Sequence, residues 1–312
     1  MPQFRPFAKD RVLKSLVLVV LALAIPCYKS IEHPNLSILY PALSYGLIFI
    51  ALQWTFRALL TPLGRNLIAR RPSWSREVWV AKVDRFTAAI YKFTCTVYAS
   101  VTLYRLLRDK PWFSRALGGS GDTIACWTTE THTDPELLKF FISSIGFLIA
   151  DLVVLIAKEN KRPDFAELIL HLTVTVALLI FSVLGGFIRI TSLAISAHII
   201  CDLFVYAAKA LVDTRLSGGA FAYLPLLLVH VWFRLYVFSS TILKSALVEA
   251  PKFIEKTPAW GFVSGMLGMS LLLHAYWGFV IVKIGLLLLS TGQNRDLQAN
   301  LSAIDLQAKR GE

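Results

Sequence analysis

Two neighbouring apolar segments of this chain carry ionisable side chains at helical spacing. His171 and Thr175 lie four positions apart in the first segment, while His198, Asp202 and Lys209 follow an i, i+4, i+11 pattern in the second. Each set therefore falls on one face of its helix. An imidazole beside a carboxylate can take up or deliver a proton in a reaction. Because ionisable groups are costly inside apolar segments of membrane length, these residues are the first candidates for a functional site.

A very short connection joins the two segments: Gly185-Gly186 ends the first, and Arg189 precedes the second. Such a turn predicts antiparallel neighbouring helices, so residues at matching depth can face each other. With a rise of about 1.5 Å per residue, His171 would lie about 7 Å and Asp202 about 15 Å below the same membrane boundary. We therefore expect the two histidines, the aspartate and the threonine to converge in the inner half of the membrane. The alternative interpretation is that each polar group only satisfies a neighbour within a helix bundle.

Other buried polar residues are weaker candidates. Asp151 sits in the middle of an apolar run and needs a partner. Its candidate partners are His171, Arg189 and Arg234. His230 and Arg234 are one helical turn apart and are also available to Asp202. The four cysteines show no paired spacing, and neither a metal-spaced histidine cluster nor a Gly-rich phosphate loop occurs, so we expect no metal site and no cofactor.

The composition of the 312 residues excludes an ordinary soluble domain. Hydrophobic residues make up 56% and charged residues only 17% of the chain, and the mean hydropathy is +0.60. Backbone groups in hydrocarbon must be hydrogen-bonded within their own segment, so apolar runs of membrane length predict helices. The predicted fold is an all-α polytopic membrane protein with about eight spans: Val12–Tyr28, Leu36–Leu60, Phe86–Leu107, Leu137–Ala157, Ala166–Phe187, Ile190–Val212, Phe221–Leu243 and Trp260–Ser290.

The net charge of +12 comes from Lys and Arg clusters that alternate with pairs of spans. They precede the first span and lie in segments such as Arg65–Lys82 and Lys158–Arg162, which the positive-inside rule places on the inner side with both termini. No soluble domain carries a basic surface, so we expect no nucleic-acid partner. The predicted organisation is N-terminal membrane helices (1–60), a basic inner loop (61–85), a transmembrane domain (86–290) and a polar tail (291–312).

The motifs around the candidate residues resemble those of ceramide synthases, the Lag1 branch of the TLC-domain membrane proteins. The similarity covers the chain from about Leu36 to Ser290. The motifs that carry it are Lys161-Arg162-Pro163-Asp164-Phe165, His171-Leu172-x-x-Thr175, Phe187-Ile188-Arg189, His198-Ile199-x-x-Asp202, Phe233-Arg234-Leu235 and His274-Ala275-Tyr276-Trp277.

The resemblance implies a fold, a reaction and a site. The fold is a TLC-type six-helix barrel plus two N-terminal helices. We expect the helices from Phe86 to Ser290 to enclose a long pocket open to the inner side, with those two helices outside. The reaction joins a fatty acyl-CoA substrate to a sphingoid base in the endoplasmic reticulum membrane. Its catalytic residues would be His171, His198 and Asp202, and its lipid-binding residues Thr175, Arg189, Lys209, Arg234, Asp151, His230 and Trp277.

Two positions depart from the family pattern. Leu172 stands where the motif has a second histidine, and Ile199 stands where it has an aspartate. Neither side chain can carry a proton or a charge, and the loss of one member of a catalytic unit commonly costs as much as the loss of several. We therefore predict a degenerate relative that acts as a structural or lipid-binding subunit of a membrane complex.

The alternatives to this prediction stay open at this point. The first is an active sphingoid-base N-acyltransferase. A transporter is not favoured, because inverted repeats and broken helices are missing from the sequence. The expected partners are membrane lipids and other membrane protein subunits. The basic, acid-poor N-terminus is also compatible with the mitochondrial inner membrane instead of the endoplasmic reticulum.

Overall fold

A computed structural model describes residues 11–31, 36–70, 72, 74–128, 134–158, 164–214 and 219–291. Within these ranges the chain forms no strand beyond an isolated bridge between Ser114 and Gly121, so the predicted all-α class is confirmed. The helices are α1 (Arg11–Lys29), α2 (Leu39–Leu67), α3 (Arg76–Leu107), α4 (Ala125–Thr128), α5 (Pro135–Lys158), α6 (Phe165–Leu184), α7 (Ile188–Leu211), α8 (Gly219–Val229) and α9 (Pro258–Thr291).

Six helical segments in the described part of the chain are long and apolar enough to cross a membrane: Leu36–Leu67, Pro135–Lys158, Phe165–Leu184, Ile188–Leu211, Tyr223–Lys252 and Pro258–Leu286. The predicted number of eight is therefore approximate. The two other predicted spans coincide with α3 and α1. Helix α3 has 32 residues, but its mixed polar and charged composition keeps it out of the apolar set. Of α1, the apolar helical part within the described residues is Leu18–Lys29.

Helices continue into the basic segment predicted as an inner loop. Helix α2 ends at Leu67, and α3 begins at Arg76, where Ser75 accepts a hydrogen bond from the Val78 N–H and caps it. Hydropathy marks where a segment leaves hydrocarbon, whereas helical hydrogen bonding can continue into water. The basic run before α6 and the polar tail after Thr291 lie outside the described residues, so their predicted sidedness stays a prediction.

Glycines set the distance between α2 and α5. A Cβ atom built on Gly146 would lie 2.5 Å from the Ala42 carbonyl oxygen and 2.9 Å from the Gly46 nitrogen. No larger residue fits there without moving a backbone. Small residues allow membrane helices to approach closely and gain van der Waals contact, and this contact holds α2 against the rest of the bundle.

The predicted antiparallel arrangement of α6 and α7 is confirmed at their turn. Gly186 has φ of 78°, a conformation that costs glycine little. The hydroxyls of Ser182 and Thr191 are 2.5 Å apart across the turn. Arg189, expected before the second helix, lies in the first turn of α7 because that helix already begins at Ile188. Away from the turn, α6 packs chiefly on α5 and α9, and α7 packs on α3 and on α8 with the segment that follows it.

Helix α8 continues beyond Val229 as a π-helix over His230–Leu243 and Ser245–Glu249. Backbone hydrogen bonds from i to i+5 are rare and occur preferentially at functional sites. This stretch contributes His230 and Arg234, both of which are buried. Together with α7 and α9 it forms the wall that carries most of the polar groups described next.

Candidate functional site

A cavity of about 690 Å³ lies between α2, α3, α5, α6, α7, α9 and the α8 segment with its π-helical continuation. This volume falls within the roughly 300–1,000 Å³ that is usual for small-molecule sites. Most lining side chains are apolar, and the polar ones include nine residues predicted from the sequence. Those nine are Asp151, His171, Thr175, His198, Asp202, Lys209, His230, Arg234 and Trp277.

Two features of this pocket differ from what the sequence suggested: the expected position of α2 is wrong, whereas the lipid-binding role of Arg189 stays a prediction. Arg189 is not part of the described lining, because its guanidinium lies 4.9 Å from the centre of the Trp112 ring near the start of α7. Helix α2 was expected outside the pocket, yet Phe49, Leu52 and Phe56 line it. The close glycine contact between α2 and α5 brings these side chains against the bundle.

The predicted polar face of α7 points into the cavity. His198, Asp202, Val205 and Lys209 all line it, as the helical spacing required. Asp202 forms an ion pair with Arg234 of the π-helical segment, which is one of the two partnerships that the sequence suggested for this arginine. The arginine side chain is only 5% exposed, so its charge depends on this carboxylate for neutralisation.

Asp151 on α5 has a partner that sequence analysis missed. Its carboxylate accepts a hydrogen bond of 2.7 Å from the Lys92 ammonium on α3. The proposed partners His171, Arg189 and Arg234 are therefore replaced by Lys92. Asp151 is 8% exposed, and a buried carboxylate needs such a compensating charge. The available sequence signal was Lys92 itself, a cation in the middle of the long helix α3.

Three histidines from three helices are in contact at the cavity wall, which His171 and His198 line. The rings of His171 and His198 are stacked with their centres 6.0 Å apart. His198 also contacts His274 of α9, with 2.8 Å between the two Nε2 atoms. His274 belongs to a motif noted in the sequence but was not proposed as a site residue. Its position beside His198 depends on how α9 packs against α7, which spacing within one helix cannot give.

Hydrogen bonds to the backbone hold these rings in place. His198 Nδ1 donates to the Ala194 carbonyl at 2.9 Å, and His274 Nδ1 donates to the Arg234 carbonyl at 3.1 Å. His230 Nε2 donates to the His274 carbonyl at 3.0 Å. The carbonyl oxygens can only accept, so these bonds fix which ring nitrogen carries hydrogen.

His171 is held differently from the other histidines. Its ring packs edge-on against Trp277, with the ring centres 4.8 Å apart. Its Nδ1 atom is buried and has no hydrogen-bond partner among the described residues. Thr175 donates its hydroxyl hydrogen to the His171 carbonyl at 2.8 Å, so this threonine satisfies the backbone and not the imidazole.

Leu172 and Ile199 both line the cavity beside His171 and His198. The two positions that depart from the motif therefore face the same space as the histidines. Leu172 therefore offers no proton donor or acceptor at the position that follows His171 on α6, and Ile199 offers none at the position that follows His198 on α7. The arrangement can hold a long apolar chain with a polar end at the histidines.

The described residues contain no group of three His, Cys, Asp or Glu side chains that could hold a metal ion. The polar groups around the cavity instead form ion pairs, histidine contacts and bonds to carbonyl oxygens. These pairings help to hold a polar site rigid inside an apolar bundle, although the buried Nδ1 of His171 and Nε of Arg234 have no hydrogen-bond partner among the described residues.

Comparison with known protein families identifies the family to which this helical bundle belongs. A family model described as the TLC domain matches residues 85–283, which is more than half of the chain. The chain belongs to the TLC-domain family. The matched region begins in α3 and ends in α9, so it contains nearly every element that lines the cavity of this TLC-domain protein.

Curated relatives of this TLC-domain protein include ceramide synthases. ASC1-like protein 3 of Oryza sativa subsp. japonica is 29% identical over 266 residues, covering 80% of this chain and 89% of the rice protein. Ceramide synthase hyl-2 of Caenorhabditis elegans is 22% identical over 270 residues, covering 81% and 80%. Ceramide synthase 5 of Homo sapiens is 27% identical over 222 residues, covering 68% of this chain and only 53% of the human protein. The similarity to ceramide synthases read from the motifs is confirmed.

Proposed function

We propose that this ceramide-synthase-like TLC-domain protein holds a long-chain lipid in its central cavity and does not form amide bonds. The observation that carries the proposal is the composition of the cavity wall, in which Leu172 and Ile199 stand beside His171 and His198. The apolar remainder of the wall suits a hydrocarbon chain. The lipid head would lie at the histidines, beside the ion pair of Asp202 with Arg234.

Amide formation would require a proton acceptor for the amine and a carboxylate that orients it. The carboxylate of Asp202 is already paired with Arg234. His198 is bonded through both ring nitrogens, one to Ala194 and one to His274. By resemblance, the motif would supply a second histidine and a second aspartate at the positions of Leu172 and Ile199. Their absence supports binding without turnover.

The test combines lipid retention with an activity assay. Lipids extracted from the purified protein should contain a long-chain species in roughly stoichiometric amount. With acyl-CoA and a sphingoid base supplied, the unmodified protein should form no ceramide above a sample without protein. A Leu172→His/Ile199→Asp double variant restores both ionisable positions and is the matched comparison. Ceramide formation by the unmodified chain that disappears in His171→Ala would refute the proposal.

One observation favours the second candidate, an active sphingoid-base N-acyltransferase. The buried Nδ1 atom of His171 has no hydrogen-bond partner within the described structure, so it is available to accept a proton from a substrate amine. In that reaction the amine nitrogen bonds to the thioester carbonyl carbon, the carbon–sulfur bond breaks, and the CoA thiolate leaves with the proton. Retention of activity after removal of the imidazole in His171→Ala would exclude this role for His171.

The cellular setting belongs to the same proposal. We propose that the protein resides in the endoplasmic reticulum, with the mitochondrial inner membrane as the alternative, and that it works there with other membrane protein subunits. The resemblance to ceramide synthases supports the first part of this proposal. Fluorescence localisation against markers of both membranes tests the first point. Mass measurement of the gently solubilised protein tests the second, because a particle containing only this chain would contradict the subunit role.

A further inference from the structure

A second pocket lies between α2 and α3, outside the central cavity. Its volume is about 200 Å³, and its lining includes Arg57, Thr61 and Arg65 of α2 and Asp84 of α3. The three α2 residues are spaced four positions apart, so they share one face of that helix. Small-molecule sites usually occupy roughly 300–1,000 Å³, so the smaller pocket suits a polar head group and not a whole lipid.

Close packing of the two helices fixes the walls of this α2–α3 pocket. A Cβ atom built on Gly64 would lie 3.0 Å from the Val83 Cγ1 atom, so the helix backbones approach closely beside the pocket. Trp79 lines the pocket, and its indole N–H donates to the Ile68 carbonyl at 2.8 Å, which ties the start of α3 to the end of α2. The walls are therefore in place before a ligand arrives, and binding does not have to order them.

Arginine outnumbers carboxylate in the lining of the α2–α3 pocket. Arg57 forms an ion pair with Asp84, in which its Nε and Nη2 atoms donate to the two carboxylate oxygens. This pair does not use the hydrogens on Nη1, and the two side chains remain 40% and 35% exposed. Arg65 is exposed, and within the described residues it forms no ion pair. Two guanidinium groups and one carboxylate give the lining a net charge of +1.

The face of α2 that carries these arginines is apolar towards the start of the helix. Leu43, Leu47 and Trp54 lie on this face and are exposed; Leu47 follows Leu43 by four positions, and Trp54 precedes Arg57 by three. The Arg57 guanidinium lies 5.7 Å from the centre of the Trp54 ring. Tryptophan is enriched at the boundary between hydrocarbon and head groups. One helix face therefore offers a surface for hydrocarbon chains that leads to basic groups at the head-group level.

We propose that the α2–α3 pocket binds the phosphate of an anionic phospholipid, whose chains lie along the exposed face formed by Leu43, Leu47 and Trp54. A guanidinium group presents paired donors that match the oxygens of a phosphate. Basic pockets between membrane helices commonly bind phospholipid head groups. The positive-inside rule predicts that this end of α2 faces the inner leaflet, where anionic lipids are concentrated. The exposed apolar face favours a lipid over a free phosphate ion.

The experiment compares ligands that separate the phosphate from the lipid chains. The purified whole chain in neutral detergent is titrated with dioctanoyl phosphatidic acid, dioctanoyl phosphatidylcholine and inorganic phosphate, and dissociation constants are measured by microscale thermophoresis. Phosphatidic acid should bind about tenfold more tightly than phosphatidylcholine, whose choline neutralises the phosphate, a difference of about 1.4 kcal/mol. It should also bind more tightly than inorganic phosphate, which has no chains to contact α2.

Two substitutions in the pocket should change the affinity in opposite directions. Arg65→Gln removes one positive charge and should weaken phosphatidic acid binding about fivefold, or about 1 kcal/mol, with little effect on phosphatidylcholine. Asp84→Asn keeps an acceptor for Arg57 but removes the negative charge, so it should tighten phosphatidic acid binding by a similar factor. Arg115→Gln is the matched control, because it removes the same charge from an exposed arginine outside the pocket and should change neither affinity.

Several results would overturn this inference. Equal affinity for the two lipids would show that the anionic head is not recognised, and inorganic phosphate binding as tightly as phosphatidic acid would show an anion site without a lipid. Equal losses in Arg65→Gln and Arg115→Gln would assign the attraction to the overall charge of the chain, and weaker binding by Asp84→Asn would contradict the charge argument. The α2–α3 pocket shares no lining residue with the central cavity, so none of these results bears on the function proposed for that cavity.

Discussion

The contact between α2 and α5 allows a quantitative prediction, because a single methyl group added there has nowhere to go. In Gly146→Ala the new Cβ would lie 2.5 Å from the Ala42 carbonyl oxygen and 2.7 Å from the Tyr45 Cβ. Ordinary contacts begin near 3.4 Å, so α2 must retreat by about 0.9 Å. Overpacking of this kind costs about 1–3 kcal/mol, while alanine in a helix recovers about 1 kcal/mol.

The same substitution at Gly265 is the matched control. That glycine lies in α9, and a Cβ atom built there meets nothing within 4 Å. Gly265→Ala should therefore show only the helix gain of up to about 1 kcal/mol. The difference between the two alanine variants isolates the packing cost of about 1–3 kcal/mol.

Thermal unfolding in detergent, followed by tryptophan fluorescence, measures this difference. Gly146→Ala should unfold at a lower temperature than both the wild type and Gly265→Ala. It should also retain less lipid, because α2 carries Phe49 and Phe56 on the cavity wall. Equal unfolding temperatures for the two alanine variants would show that α2 does not pack on α5 through these glycines.

Three further predictions concern charges and topology. A double-mutant cycle of Lys92→Met and Asp151→Leu should give a coupling of about 0.5–3 kcal/mol in the free energy of unfolding, because each single variant leaves a charge uncompensated near the cavity. Additive effects of the two substitutions would contradict the ion pair. The Lys110 ammonium donates to Asp134 and lowers the pKa of that carboxyl. This ion pair therefore stabilises the fold fully above about pH 3.9, the pKa of an unfolded aspartate, and its contribution is lost as the pH falls through the lower pKa of the folded state. Amide hydrogen exchange at the start of α5 should rise in that acid range, and exchange that stays constant after correction for its intrinsic pH dependence would contradict the prediction. In a background without the native cysteines, Ser120→Cys should be labelled from the side opposite an N-terminal tag, and labelling from the same side would mean that the span count is wrong.

The amino-acid sequence by itself determined the class of the protein and the face that its polar residues share. Hydropathy marks membrane segments locally, and the helical repeat places His198, Asp202 and Lys209 on one side of α7 without knowledge of any other helix. The glycine turn between α6 and α7 is likewise a local signal. These features were predicted correctly because each depends on a short stretch of chain.

Only the tertiary structure decided which helices meet at the cavity and which polar groups become partners. The pairing of Lys92 with Asp151 joins residues 59 positions apart, and the contact of His198 with His274 joins residues 76 positions apart. The entry of α2 into the cavity wall depends on Gly46 and Gly146, whose proximity no spacing rule gives. Arg189 belongs to a separate motif of the same family pattern, and at the start of α7 its guanidinium packs on Trp112. Partner choice is set by the packing of whole helices, and a pattern within one helix contains no information about the face of another.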